Sequence, residues 1–384
     1  MKKLIPLAFI VMVLSFILVA NAENDGCLSY DFANKVMLEG NRDVKKQELA
    51  ERRAYYLYRS TVLRTGNIET ERAVFDTPFG KFSMLYTPDI QVLLTKQKEL
   101  LPSQMKLYWM MADKGKILTQ KALTLGFRDL FLGFLNADRE HKMNLKRLEL
   151  QERKYEAARI RLQGGLISTL DFEEEEYNYA GAQKAFEISK RTRENMQRNV
   201  NIYMGNPADT EYESATCSEL TRGLRLNALE NYIERALAER YEILSIEWEI
   251  EVKRKHLEIL TRARADKVYT SIKKEYQKIL REIEMLEIKL EQVKYDVEGN
   301  IKSAYIDIKK EGYNLNNMYE TLDMQKRNFD RLKYQYEQGL ISKLMLDELE
   351  LGLEEIQNGV DLLIYNLNTK IMRIEEASGL GPAY

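Results

Sequence analysis

Apolar positions in the second half of the chain recur at steps of three and four, through Leu280, Ile283, Leu286, Leu290, Val293, Val297, Ile301, Ala304 and Ile308. That is the spacing of a coiled-coil seam, where each turn sets one apolar side chain against a partner helix. Charged residues fill the remaining faces. Beyond the N-terminus no window holds the roughly 18 uninterrupted apolar residues that a membrane helix needs. From Tyr276 to Gln338 the pattern runs unbroken, which predicts a helix about 90 Å long at 1.5 Å per residue, longer than a compact core can bury. The breakers agree with this: the chain has 6 prolines, and none lies between Ala208 and Gly381. The fold class expected is mainly all-α, elongated, and built of very long antiparallel coiled-coil-like helices.

The pattern is written twice. Gly165-Leu166-Ile167-Ser168 returns as Gly339-Leu340-Ile341-Ser342, and Gly205 returns as Gly379, in both cases 174 positions later. Upstream, Asn41 to Tyr56 resembles Arg240 to Lys255 at an offset of 199, so the first copy is longer by about 25 residues. The extra length falls between Gly66 and Pro102. There the composition predicts at most one β-hairpin, Thr70 to Asp76 and Lys81 to Tyr86, turning at Pro78-Phe79-Gly80. Each copy reads as a helix up, a long helix down, a glycine turn and a returning helix. The expected spans are Tyr30 to Arg64, Ser103 to Gln163 and Thr169 to Tyr203, then Leu226 to Arg262, Tyr276 to Gln338 and Lys343 to Ser378, with an upper turn near Ala263 to Ser271. The domain reading is a signal segment over 1–22, repeat one over 23–209 and repeat two over 210–384.

A long helix ending in a basic-x-aromatic stretch, then x-Gly-Leu-Ile-Ser, then an acidic helix closing on glycine, occurs as Arg153-Lys154-Tyr155 through Gly164-Gly165 to Leu170-Asp171. It occurs again as Lys333-Tyr334-Gln335-Tyr336 through Gln338-Gly339 to Leu344. This duplicated pattern, covering nearly the whole mature chain, resembles the TolC-type outer-membrane efflux protein family. The resemblance implies a homotrimer in which each protomer adds two helical hairpins to a tube. It implies that Gly164, Gly165, Leu166, Ser168, Gly339, Leu340 and Ser342 form tip turns that dock a periplasmic adaptor, which in turn joins an inner-membrane transporter. It also implies acidic residues at a closed aperture, here Asp171, Glu174, Asp347 and Glu348, with Met345 standing where copy one has Asp171. The alternative is that Glu173 to Glu176 form a solvated acidic first turn that complements the helix dipole. In the family a membrane β-barrel completes the tube. One hairpin per protomer would supply about six strands to a trimer, fewer than the eight of the smallest bacterial barrels, so the expectation is a barrel-less relative.

The N-terminus opens with Lys2 and Lys3, an apolar run from Leu4 to Ala20, and Ala20-Asn21-Ala22, followed by Glu23 and Asp25. This reads as a secretory signal peptide, with retention as an anchor the lesser alternative, and places the protein in the cell envelope, at the outer membrane or a periplasm-equivalent space. Lys+Arg of 58 against Asp+Glu of 60 leaves a net charge of −2, which disfavours a nucleic-acid partner. Cys27 and Cys217 each precede a repeat, and either a disulfide between them or two unrelated thiols fits an exported chain. Lipidation of Cys27 is disfavoured because Asn24-Asp25-Gly26 lacks the aliphatic and small residues of such a cleavage site.

With two histidines, His141 and His256, neither near a ligand at metal or catalytic spacing, no catalytic residue, metal or cofactor is expected. His256 is expected to be an exposed helix residue. The function expected is an export conduit for small molecules or polypeptides; the alternative is an exported coiled-coil spacer of the envelope that conducts nothing.

Overall fold

The computed structural model describes residues 27–217, 223–264 and 270–383. The signal segment, and most of the turn expected near Ala263 to Ser271, lie outside the described residues. The elements in order are β1 (Cys27–Ser29), α1 (Tyr30–Gly40), α2 (Arg42–Thr65), β2 (Arg72–Thr77), β3 (Gly80–Leu85), α3 (Pro88–Thr95), a π-helical turn (Lys96–Leu100), α4 (Leu101–Gln163) and α5 (Thr169–Met204). There follow β4 (Ser214–Thr216), α6 (Leu229–Glu239), α7 (Tyr241–Arg262), α8 (Thr270–Glu337) and α9 (Lys343–Ala377).

The long helices fall within a few residues of the spans read from sequence. Both rising helices, however, are broken where sequence predicted continuity. Asn41 ends α1 at φ −67°, ψ 130°, and Arg240 ends α6 at φ −61°, ψ 131°. These are the two residues that begin the 199-offset match, so the break is part of the repeated unit. In each case the amide still closes the preceding turn, Asn41 N to Met37 O at 2.9 Å and Arg240 N to Ala236 O at 3.1 Å, and an extended ψ then redirects the chain.

The chain forms two compact units, each assembled from segments of both halves. Unit one comprises Met1–Asn41, Gly126–Gly223 and Glu311–Asn368; unit two comprises Arg42–Leu125, Leu224–Lys310 and Thr369–Tyr384.

Unit one is centred on aromatic rings. Tyr30 lies edge-on to Phe131 at 5.5 Å, and Phe127 stacks on Tyr203 at 6.0 Å. Phe127, Phe131 and Phe134 are almost fully buried, each stabilising the unit by about 1.5–3 kcal/mol through removal of apolar surface from water. A polar ladder on α5 holds the chain that leaves this core. Arg193, Gln197 and Asn201, one helical turn apart, donate to the carbonyls of Tyr212 at 3.1 Å, Thr210 at 2.7 Å and Ala208 at 3.1 Å. The tethered segment leads into β4, which pairs in parallel with β1.

That pairing also positions the two cysteines. Register sets Cys27 opposite Ser214, so Cys217 stands about 10 Å further along at roughly 3.3 Å per residue. A disulfide needs Cα atoms within about 7 Å, and none joins the two residues; Cys27 is exposed and Cys217 buried.

Unit two packs Val92, Leu260, Ile272, Ile279 and Ile283 in one cluster. Of the seam read on α8, Ile283, Val297, Ile301, Ala304 and Ile308 are buried, whereas Leu280 is exposed and its neighbour Ile279 takes the inward position. His256 also differs from expectation. Its side chain is 12% exposed, with Nε2 3.0 Å from Glu275 Oε1, because the start of α8 covers that face of α7. Burial together with the Lys96 and Lys253 charges lowers its pKa despite Glu275. Arg240 is buried as well and donates from Nη1 to Ala377 O at 3.0 Å, satisfying a carbonyl at the end of α9. The hairpin forms as expected, antiparallel, with Phe75 opposite Phe82.

Candidate functional site: the paired glycine turns

The two turns that carry the sequence repeat both lie in unit one and share one geometry. Gly165 adopts φ +65° and Gly339 φ +71°, the left-handed region that glycine enters without a Cβ penalty. Leu166 N donates to Arg161 O at 2.8 Å and Gly165 N to Leu162 O at 2.9 Å; Leu340 N donates to Gln335 O and Gly339 N to Tyr336 O, both at 2.9 Å. These paired bonds are Schellman closures, which satisfy the last carbonyls of α4 and α8. Gly164 precedes the first of them.

Each turn ends on a serine cap. Ser168 Oγ accepts from Asp171 N at 3.1 Å, and Ser342 Oγ from Met345 N at 3.2 Å. In the first turn the carboxylate of Asp171 returns the bond, accepting from Ser168 N at 3.1 Å and Oγ at 2.8 Å, a complete capping box. Those hydrogen bonds hold the Asp171 carboxyl below its usual range. Met345 has no acceptor to offer, so the second box is half made. Leu166 and Leu340, the residues after each left-handed glycine, are 76% and 71% exposed. A matched pair of solvent-facing leucines on rigid turns is what the geometry presents.

The four acids read as aperture residues have different surroundings. Glu348 Oε2 lies 2.9 Å from Lys154 Nζ, and Asp347 pairs with Arg153 and, at 2.8 Å, with Lys343. Burial opposes ionisation of Asp347, but the bonds to Lys343 and Arg153 outweigh it and lower its pKa. Asp171 is engaged in its cap. Glu174 is exposed and has no cation within 4.0 Å among the described residues. A groove of about 340 Å³ brings Asp171, Ser342, Met345 and Glu348 together with Lys154 and Arg161.

Sequence reasoning missed the ladder that flanks this groove. Arg139, Lys146 and Arg153 on α4 face Asp361, Glu354 and Asp347 on α9, and Arg147 and Lys154 face Glu355 and Glu348. Cations step forward by seven on one helix while anions step back by seven on the other, the signature of an antiparallel coiled-coil flank. The heptad of basic residues and the heptad of acidic residues were both visible in the sequence, 200 positions apart. Among the described residues no cluster of three or more metal-binding side chains forms, and no helix is long and apolar enough to cross a membrane.

No sequence-family model and no curated protein matches the chain. Solved structures do. The CmeC outer membrane channel of Campylobacter jejuni aligns with TM-score 0.62 and 12% identity over 92% of this chain and 86% of its own. The open state of the MtrE outer membrane channel of Neisseria gonorrhoeae aligns at 0.64 and 11%, over 91% and 89%. The outer membrane protein VceC of Vibrio cholerae aligns at 0.63 and 9%, over 91% and 96%. These alignments span most of both partners, and they leave one description of the architecture: the chain has the fold of the TolC-type outer-membrane efflux channels.

Proposed function

We propose that the chain is an export conduit of the cell envelope, a homotrimeric helical tube that works with a periplasmic adaptor and an inner-membrane transporter to move small molecules or polypeptides outward. The observation that carries this reading is the matched pair of Schellman turns, each rigid and each offering an exposed leucine, in a fold shared with outer membrane channels. The repeats, over 23–209 and 210–384, are the units that would alternate around the tube, and the adaptor would meet Leu166 and Leu340. Glu174, exposed and with no cation within 4.0 Å among the described residues, would face the aperture.

Two exposed apolar stripes in unit two support assembly from several copies. Leu49, Tyr56 and Leu63 recur at heptad spacing on α2, and Met285, Ile288, Tyr295 and Ile306 lie along one face of α8. Extended stripes of this kind mark contact surfaces. Because the two belong to different repeats, the α8 stripe of one copy would meet the α2 stripe of the next, a head-to-tail contact of the sort that closes rings.

The test is the double variant Leu166→Asp/Leu340→Asp, assayed for export in cells and for oligomer mass after purification. The conduit reading expects export to be lost while the oligomer persists; unchanged export contradicts it. A second reading, an envelope spacer without channel activity, draws on one observation. The strands of the only hairpin among the described residues have 6 residues each, short of the roughly 9–11 that span a bilayer.

A further inference from the structure

Unit two contains a groove of about 600 Å³, within the usual size range of small-molecule sites, to which the conduit reading gives no role. One wall is a face of α7 that includes Trp248 and Lys255. The other is formed by the π-helical turn and the first turns of α4, with Lys98, Lys106, Leu107 and Met110.

Its lining carries three lysines, Lys98, Lys106 and Lys255, against two acids, Glu99 and Glu251. Three cations on neighbouring stretches of the same elements are each paired with a carboxylate, Lys96 with Glu275, Lys253 with Glu282 and Arg254 with Glu287, each at 2.6 Å. Lys98 and Lys106 have no carboxylate within 4.0 Å among the described residues. Lys255 follows Glu251 by four residues, the favourable order for a helical ion pair, yet that pair is not made; Lys255 Nζ donates to Ser103 Oγ at 2.8 Å instead. Of the two acids on the lining, Glu99 is already held by Arg262, which leaves Glu251 against three ammonium groups.

We infer that this groove binds an amphiphilic organic anion. The ammonium groups of Lys98, Lys106 and Lys255 take a carboxylate or sulfonate head through charge-assisted hydrogen bonds, and Trp248, Leu107 and Met110 take the apolar body. The inference is independent of the conduit reading, since it rests only on the groove's own lining.

The chain has 2 tryptophans, so in a Trp109→Phe background Trp248 alone reports. The full exported chain is titrated with octanoate, octan-1-ol and octylamine, which share a body and differ in head charge. Octanoate is expected to change Trp248 emission saturably, and the other two are not. Lys98→Met/Lys106→Met is expected to weaken octanoate at least tenfold with unchanged circular dichroism, while Lys98→Arg/Lys106→Arg retains it. The proposal is overturned by the absence of a saturable response to octanoate, by an equal response to octylamine, or by a Met variant that binds as tightly as the parent.

Discussion

Lys154 Nζ stands 2.9 Å from Glu348 Oε2, tying the long helix of the first half of the chain to the last helix of the second, just inside the glycine turns. The pair belongs to the antiparallel ladder of α4 and α9, and it accounts for the acid on structural grounds: Glu348 is neutralised within its own chain.

Charge reversal tests that ladder. Lys154→Glu should lower the urea midpoint and Lys154→Glu/Glu348→Lys should restore it. The restored coupling should be about 0.2–1 kcal/mol, the range for exposed pairs, because Glu348 is 57% exposed. Coupling near zero in the double-mutant cycle would reduce the ladder to a set of contacts without energetic weight.

Arg240 has a larger role for a single residue. It is 2% exposed and joins Glu242, at 2.6 Å, to the Ala377 carbonyl. Arg240→Ala leaves that carbonyl without its charged donor, a loss of about 1–3 kcal/mol for a buried unsatisfied group. Arg240→Lys should recover only part, because a single ammonium cannot reproduce the guanidinium fork. Chemical denaturation of both variants measures this.

Acid should weaken unit one through Asp138. Burial pushes its carboxyl pKa up, but hydrogen bonds and charges from Lys142 and Arg193 outweigh that and lower it, with Oδ1 2.6 Å from Arg193 Nε. In the unfolded chain the same group titrates near about 3.9. A carboxyl depressed on folding stabilises the native state fully above that unfolded value, and the stabilisation is lost as pH falls through the lower folded value. The stability gap between the parent and Asp138→Asn should therefore be constant from pH 7 to about 5 and narrow below about 4. A gap that widens on acidification would contradict the assignment.

The glycine turns make a backbone prediction. A Cβ at Gly165 or Gly339 would meet nothing within 4 Å, so Ala at either position costs only the left-handed conformation, about 1–2 kcal/mol. Thermal unfolding of Gly165→Ala and Gly339→Ala should show similar losses, since the two φ values differ by only a few degrees. Unequal losses would mean that the turns are not equivalent in solution.

Much of this architecture was legible because it rests on local signals. The Gly-Leu-Ile-Ser turns, the seam on α8 and the hairpin at Pro78-Phe79-Gly80 each depend on residues close in sequence, and all formed near the expected positions. The break at Arg240 was not legible, since no proline or glycine stands beside it and the Arg240 side chain is held by the distant Ala377 carbonyl; the break at Asn41 carried a local signal, Gly40-Asn41, that the periodic reading passed over. Burial of His256 was hidden for the same reason as the break at Arg240: its charged neighbours suggested solvent, but α8 covers it. At the site, the turns and caps were visible, whereas Arg153 and Lys154, which pair with Asp347 and Glu348, lie roughly 200 positions away in the chain.

The central claim, a ring-forming conduit, is tested most directly by the mass of the chain from Glu23 to Tyr384 in solution, by light scattering on a sizing column with and without detergent. The account predicts three copies, joined through the stripes on α2 and α8. A detergent-independent monomer would contradict it.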